Sequence, residues 1–203
     1  MQDKTITLVS SGDLRLSANQ NCWAEQSAME VQLSQVAQSM GYILERAHTY
    51  DPEKKHGFIA SQREGMDVFS RIDRDKPIIV AEAVWQYSHH ILAGLIAHRG
   101  PILTVANWSG KWPGLVGMLN LNGSLTKAGV AYSTLWSENF SKDIHFQSQL
   151  LDWFKKGSVE QDTSHVVRYL SNPSLFEDRL ETINIIVKEL KQYHAILGIF
   201  DEF

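Results

Sequence analysis

Cysteine is nearly missing from this chain: Cys22 is alone among 203 residues. That excludes an intrachain disulfide framework and a cysteine-built metal cluster. Long apolar runs are missing too, and no stretch approaches the length of a membrane span. The opening "MQDKTITLVSSGD" lacks the extended apolar segment of a signal peptide. Positive charge is not in excess: 19 Lys+Arg stand against 23 Asp+Glu, a formal net charge of −4, and no Lys/Arg block stands out. A nucleic-acid footprint is therefore not expected. These absences together predict a soluble, cytoplasmic protein that engages neither membrane nor nucleic acid. Catalytic signatures are equally scarce, for the chain has no HExxH and no GxSxG elbow.

What is present is an ordinary globular composition, 43% apolar and 21% charged. The length suits one well-cored α/β domain, or one domain and part of another. Tryptophan is conspicuous, with six residues: Trp23, Trp85, Trp108, Trp112, Trp136 and Trp153. Each needs a large pocket, and a partner for its indole N–H when buried. Core packing is the ordinary use of any one of them. In a loop, tryptophan also suits a sugar face or a subunit interface.

The apolar pattern alternates between strand and helix. "TITLVSS" (5–11) reads as a first buried strand, followed by a polar loop over Ser10–Asn21 and a helix over 22–41, stopped at Gly41. "YILERAHTY" (42–50) is a second strand and residues 56–72 a weaker helix. "KPIIVAEAVW" (76–85) is a third strand, 86–100 a helix, and "PILTVAN" (101–107) a fourth strand; both strands begin beside proline, as strands tolerate. Residues 112–129 predict a helix that Gly114, Gly117 and Gly123 threaten to interrupt. "VAYSTLW" (130–136) is a fifth strand, and 143–157 a helix stopped by Gly157. Five alternations predict a parallel sheet wound with helices on both faces. After it, residues 158–174 read as a connector, 175–192 as a strong helix, and "YHAILGIFDEF" as a last strand. That strand either joins the first sheet or opens a second α/β domain. The expected division is 1–157 and 158–203.

In such sheets ligands sit beyond the carboxyl ends of the strands. The loops to inspect are Ser10–Asn21, Glu82–His90 and Asn107–Pro113. The first has a single glycine, Gly12, so it lacks the fingerprint that brings a dinucleotide pyrophosphate to the backbone. Arg15, beside Asp13, can clamp a hydroxyl-rich or anionic ligand through its rigid fork, or be an ordinary surface residue. Glu82, closing the third strand, can polarise a substrate hydroxyl or hold a loop N–H. His89 and His90 are adjacent, so they cannot form a helical i,i+4 metal pair with each other. His98 lies further along; for these histidines a surface or capping role is the ordinary reading. Asp201 and Glu202 have no histidine partner after them. "ANWSGKWPG" places Trp108 and Trp112 after the fourth strand as walls of a polar pocket or seals against another subunit, with Lys111 a solvated or interface charge. No residue set is complete as a catalytic machine or a metal site.

The segments "LVSSGDLRLSANQN", "IIVAEAVWQYSHH", "PILTVANWSGKWPGLVGMLNLNGSL" and "ILGIFDEF" resemble the N-terminal region of the L-fucose isomerase/L-arabinose isomerase family, closest to proteins called fucose isomerase-like. The resemblance implies a three-layer α/β/α flavodoxin-like (Rossmann-like) parallel sheet, preceding a second α/β domain and a C-terminal domain. It implies an aldose–ketose isomerase that uses a divalent metal, typically Mn2+, bound by residues of the later domains and by none here. The first domain of that family contacts sugar across a subunit boundary, which implies a homo-oligomer. Arg15 matches a sugar-contacting arginine, and Trp85 an aromatic residue that stacks on the sugar of a neighbouring subunit. This chain would then lack the metal centre and be inactive alone, as a truncated part of the parent enzyme. Two other readings stand beside it: a non-catalytic binding or regulatory module for a small polar ligand, and a structural assembly domain.

Overall fold

The computed structural model describes residues 4–84, 87, 89–108, 111–112, 114–168 and 177–193. The predicted last strand and Trp85, Asp201 and Glu202 lie outside them. The described chain divides into two compact units, Met1–Asp162 and Thr163–Phe203.

The first unit is built on five parallel strands in the order β2-β1-β3-β4-β5. They are β1 (Thr5–Val9), β2 (Ile43–Arg46), β3 (Ile78–Glu82), β4 (Ile102–Asn107) and β5 (Ser133–Ser137). Central β3 is buried along its whole length, which explains its unbroken apolar run, whereas β2 at the sheet edge alternates between exposed and half-buried residues. The helices are α1 (Leu16–Ser39), α2 (Gln62–Phe69), α3 (His89–Ile96), α4 (Leu115–Lys127) and α5 (Ile144–Lys156).

Two separate cores show the layering. On one face Leu8, Ile79, Ala81, Leu103 and Val105 pack with Met29 and Leu33 of α1 and Phe146, Leu150 and Trp153 of α5. On the other, Val9, Ile78, Val80 and Ile102 pack with Val68 of α2, Ile91 and Leu95 of α3 and Leu121 and Leu125 of α4. Successive β3 residues thus go to opposite cores, as the two-residue strand repeat requires. The result is the three-layer flavodoxin-like α/β/α sheet. Its strand order reverses between β1 and β3, and a crevice opens there at the carboxyl ends.

Several boundaries differ from expectation: β2 ends at Arg46, not at 50, because the chain leaves the sheet there, α3 spans only His89–Ile96 of the expected 86–100, and three further helices differ. Helix α1 begins at Leu16, so it absorbs half of the expected Ser10–Asn21 loop. Its first turn carries polar residues because it faces solvent, and Leu16 is itself exposed. Helix α2 spans Gln62–Phe69, not 56–72: Ser61 caps it by accepting from Glu64 N–H (3.2 Å). Residues 58–60 instead turn to the sheet edge, where Ile59 bridges Ser11. Helix α4 runs unbroken through Gly117 and Gly123, because packing of Met118, Leu121 and Leu125 outweighs the glycine penalty.

The second unit, in its described part, holds a short 3-10 turn at Ser164–Val166 and helix α6 (Glu177–Tyr193). Tyr193 closes that helix and does not open a strand. Its apolar residues Leu180, Ile183, Ile186, Val187 and Leu190 are exposed.

Candidate functional site

The loops after β1 and β3 meet at the switch point. Ser11 Oγ donates to Tyr87 O (2.6 Å), and Tyr87 N–H reaches Gly12 O at 3.4 Å. Asn19, buried in α1, ties the first loop twice, accepting from Asp13 N–H (2.7 Å) and donating to Asp13 O (2.9 Å). A side chain at residue 12 would put its Cβ 2.5 Å from Asn19 Oδ1 and 2.6 Å from Phe58 Cβ, so this close approach requires glycine. Arg15 then stands out from the loop, its side chain 76% exposed, with Nε and Nη2 each 3.0 Å from the Asp13 carboxylate. The guanidinium holds the Asp13 carboxyl below its ordinary range. Two donors are engaged, and the outer edge of the fork faces solvent.

Glu82 lies underneath this mouth, not on it. It is 1% exposed, Oε2 has no hydrogen-bond partner, and burial pushes its pKa well above the ordinary carboxyl value. Helix α4 starts directly over it. A Cβ at Gly114 would fall 1.8 Å from Glu82 O, an overlap of backbone with side chain that only glycine avoids. Gly114 N–H donates to Asn107 Oδ1 (3.2 Å), and Trp108 N–H to Ser137 O (3.3 Å), so both ends of the loop after β4 are anchored. Trp108 and Trp112 remain 48% and 37% exposed, and the Lys111 ammonium lies 5.8 Å from the Trp112 ring. Each ring is therefore partly covered and presents the rest of its surface to solvent. Trp153 is core, and Trp23 packs edge-on against Phe58 at 5.3 Å.

Of the two α3 histidines, His89 is exposed, as the surface reading expects, and His90 departs from it. His90 is buried with no partner for either ring nitrogen among the described residues, and His89 sits edge-on to it at 4.8 Å. Burial, and then the neighbouring His89, push the His90 pKa below its ordinary value. His98 is also buried, with Nε2 2.8 Å from Lys76 O.

A second feature went unread in the sequence. Past Arg46 the chain leaves the sheet and returns at Ile59, whose N–H donates to Ser10 O (3.0 Å) and whose O accepts from Gly12 N–H (2.8 Å). The excursion encloses a cleft of about 530 Å³ lined by His48, Tyr50, Lys54, His56, Glu64 and Arg71 among others. Burial, then the nearby Arg46 charge, push the His48 pKa down to about 3, so its ring is neutral. His56 is 1% exposed; its Nδ1 accepts from Phe58 N–H (3.1 Å), while Nε2 has no partner. "HTYDPEKKHG" carries two histidines, an aromatic residue and four charges in ten positions, a density that could have flagged it.

The cleft and the mouth share a buried polar row. Gln26 accepts from Ala83 N–H (3.0 Å) and donates to Ala81 O (2.9 Å) and Glu30 Oε1 (2.7 Å). Glu30 pairs with Arg46, which also donates to Gly57 O, to His48 O (3.1 Å) and to Ser10 Oγ (3.3 Å). Gln26 and Glu30 occupy the same face of α1 as Met29 and Leu33. Polar residues in an apolar phase at i,i+4 were the available signal.

Among the described residues no three His, Cys, Asp or Glu side chains form a group able to hold a metal ion. The described donors therefore do not fit a resident divalent metal. No described helix is long and apolar enough to cross a membrane. Fold and strand-end loops together define a flavodoxin-like α/β protein with an exposed polar and aromatic mouth at its switch point. No protein-family model matches the chain, and no curated protein matches it significantly.

Proposed function

We propose that this chain is the first part of a metal-dependent aldose–ketose isomerase of the L-fucose/L-arabinose type, contributing sugar contacts and a subunit interface but not the metal centre. The observation that carries the reading is the exposed Arg15 fork, fixed by Asp13 over loops that Asn19 and Tyr87 hold together. A bound sugar presents adjacent hydroxyls as acceptors to that fork. The apolar face of its ring lies against an indole: Trp108 or Trp112 from this structure, and Trp85 from the resemblance. Part-exposed tryptophans on anchored loops also suit the edge of a second subunit. The metal of the assembled enzyme would polarise the sugar carbonyl. This chain's own work is to bind and orient.

The test is an NMR titration of the full chain with L-fucose and L-arabinose, following the tryptophan indole N–H signals. Sugar-dependent shifts at Trp108 or Trp112 that vanish in Arg15→Gln support the reading. Shifts indifferent to that substitution count against it. Addition of Mn2+ should produce no sugar isomerisation; turnover by this chain alone would overturn the placement of the chemistry.

A further inference from the structure

The cleft beyond β2 is separate from the Arg15 mouth and plays no part in the proposed sugar contacts. We propose that it is a second binding site, for a small hydroxylated monocarboxylate of sugar-acid size, held at its deep end by His56 and at its exposed rim by Arg71.

The hydrogen-bond accounting selects this chemistry. His56 Nδ1 accepts from Phe58 N–H (3.1 Å), so the proton of the neutral ring sits on Nε2. That N–H is buried without a partner among the described residues, in a residue lining the cleft. Native interiors rarely leave such a donor unmatched, and a ligand oxygen would satisfy it. The other charges are largely spoken for. Lys54 lies between Glu64 and Asp51; Asp51 Oδ1 accepts from Glu53 and Lys54 N–H (2.9 and 3.1 Å), and Glu64 Oε2 from Ala60 N–H (2.8 Å). Among the described residues Arg71 has no carboxylate partner, which leaves it to meet a ligand carboxylate bidentately.

Size and charge narrow the ligand further. The volume of about 530 Å³ falls within the range for small-molecule pockets, roughly 300–1,000 Å³. Two cations, Lys54 and Arg71, balance two carboxylates, Asp51 and Glu64, so the lining has no surplus positive charge for a polyanion. The carboxylate oxygens keep lone pairs that can accept from hydroxyls. Phe58 and Val68 supply an apolar wall for the carbon skeleton.

The experiment is a titration of the full chain with gluconate, neutral glucose and glucose 6-phosphate, read by histidine-ring and backbone NMR. Gluconate should shift the His56 ring and the amides of residues 47–59, with glucose on the order of tenfold weaker or worse. Arg71→Gln, an exposed change that spares the core, should weaken gluconate about tenfold. His56→Asn keeps an acceptor for Phe58 N–H but loses the deep donor, and should weaken it similarly. Absence of gluconate binding, equal binding of glucose, tighter binding of the phosphate ester, or indifference to Arg71→Gln each overturns the proposal. So do shifts confined to Arg15 and Trp108. Because cleft and mouth are read from different signals, failure here leaves the sugar contacts at Arg15 to stand or fall separately.

Discussion

The mouth over β1, β3 and β4 and the cleft beyond β2 are made in opposite ways. At the mouth, backbone contacts carry the structure: Gly12 and Gly114 allow close approach, Asn19 laces the first loop, and Arg15, Trp108 and Trp112 are exposed without supporting it. In the cleft, side chains are themselves the framework, with Glu30, Arg46 and His48 buried or half-buried in one hydrogen-bonded row. Where the backbone supports the site, functional side chains can change at little cost to folding. Where the side chains are the support, ligand recognition and stability are the same property.

That contrast can be broken by substitution. The largest effect is expected for Arg46→Ala, which strands the Glu30 charge beneath α1 and removes donors from Gly57 O and His48 O; a loss of about 3–5 kcal/mol should appear in urea unfolding. Gly114→Ala forces Cβ into Glu82 O and should cost roughly 2–4 kcal/mol, the mouth's most sensitive backbone position. A milder result there would mean that α4 can slide on β3.

The pH dependence of stability sharpens the comparison next. His48 titrates near 6.5 when unfolded and at about 3 when folded, so the unfolded chain takes up the proton first. Stability falls as pH drops from 6.5 toward 3, by roughly 5 kcal/mol at most, and His48→Gln should flatten this acid limb. Glu82 has the opposite sign. Its folded pKa is raised, so the folded state holds the proton and stability declines as pH rises above 4.5. Glu82→Gln should flatten that alkaline limb in thermal melts. The smallest effect belongs to Arg15→Gln, which should leave the melting temperature unchanged while removing the sugar-dependent indole shifts. A lowered melting temperature would make Arg15 structural.

The sheet was legible because its central strands are buried on both faces. "IIVAE" and "ILTVAN" have no other good reading, and helix α5 ends at the expected Gly157. Boundaries were legible only where local chemistry decides them. Solvent hides the helical character of Leu16–Asn21, and Ser61 shortens α2 through a cap that an apolar pattern does not register. Arg15, Trp108 and Trp112 stand exposed at strand ends, as topology predicts for β1 and β4. Glu82 was placed on the right strand, but alternation does not say that α4 would roof it over. The cleft escaped notice because it depends on two distant registers: Leu8 beside Arg46, then Ser11 beside Ile59.

Those two registers have an evolutionary consequence. They clamp the chain on either side of residues 47–58 as two rivets hold a replaceable panel. Loop-closure entropy grows slowly with length, so the panel can gain or lose residues while the sheet stays intact. Related chains should therefore vary in length and composition across residues 49–55, while keeping the buried row of Glu30, Arg46 and His48 that holds the excursion to the sheet.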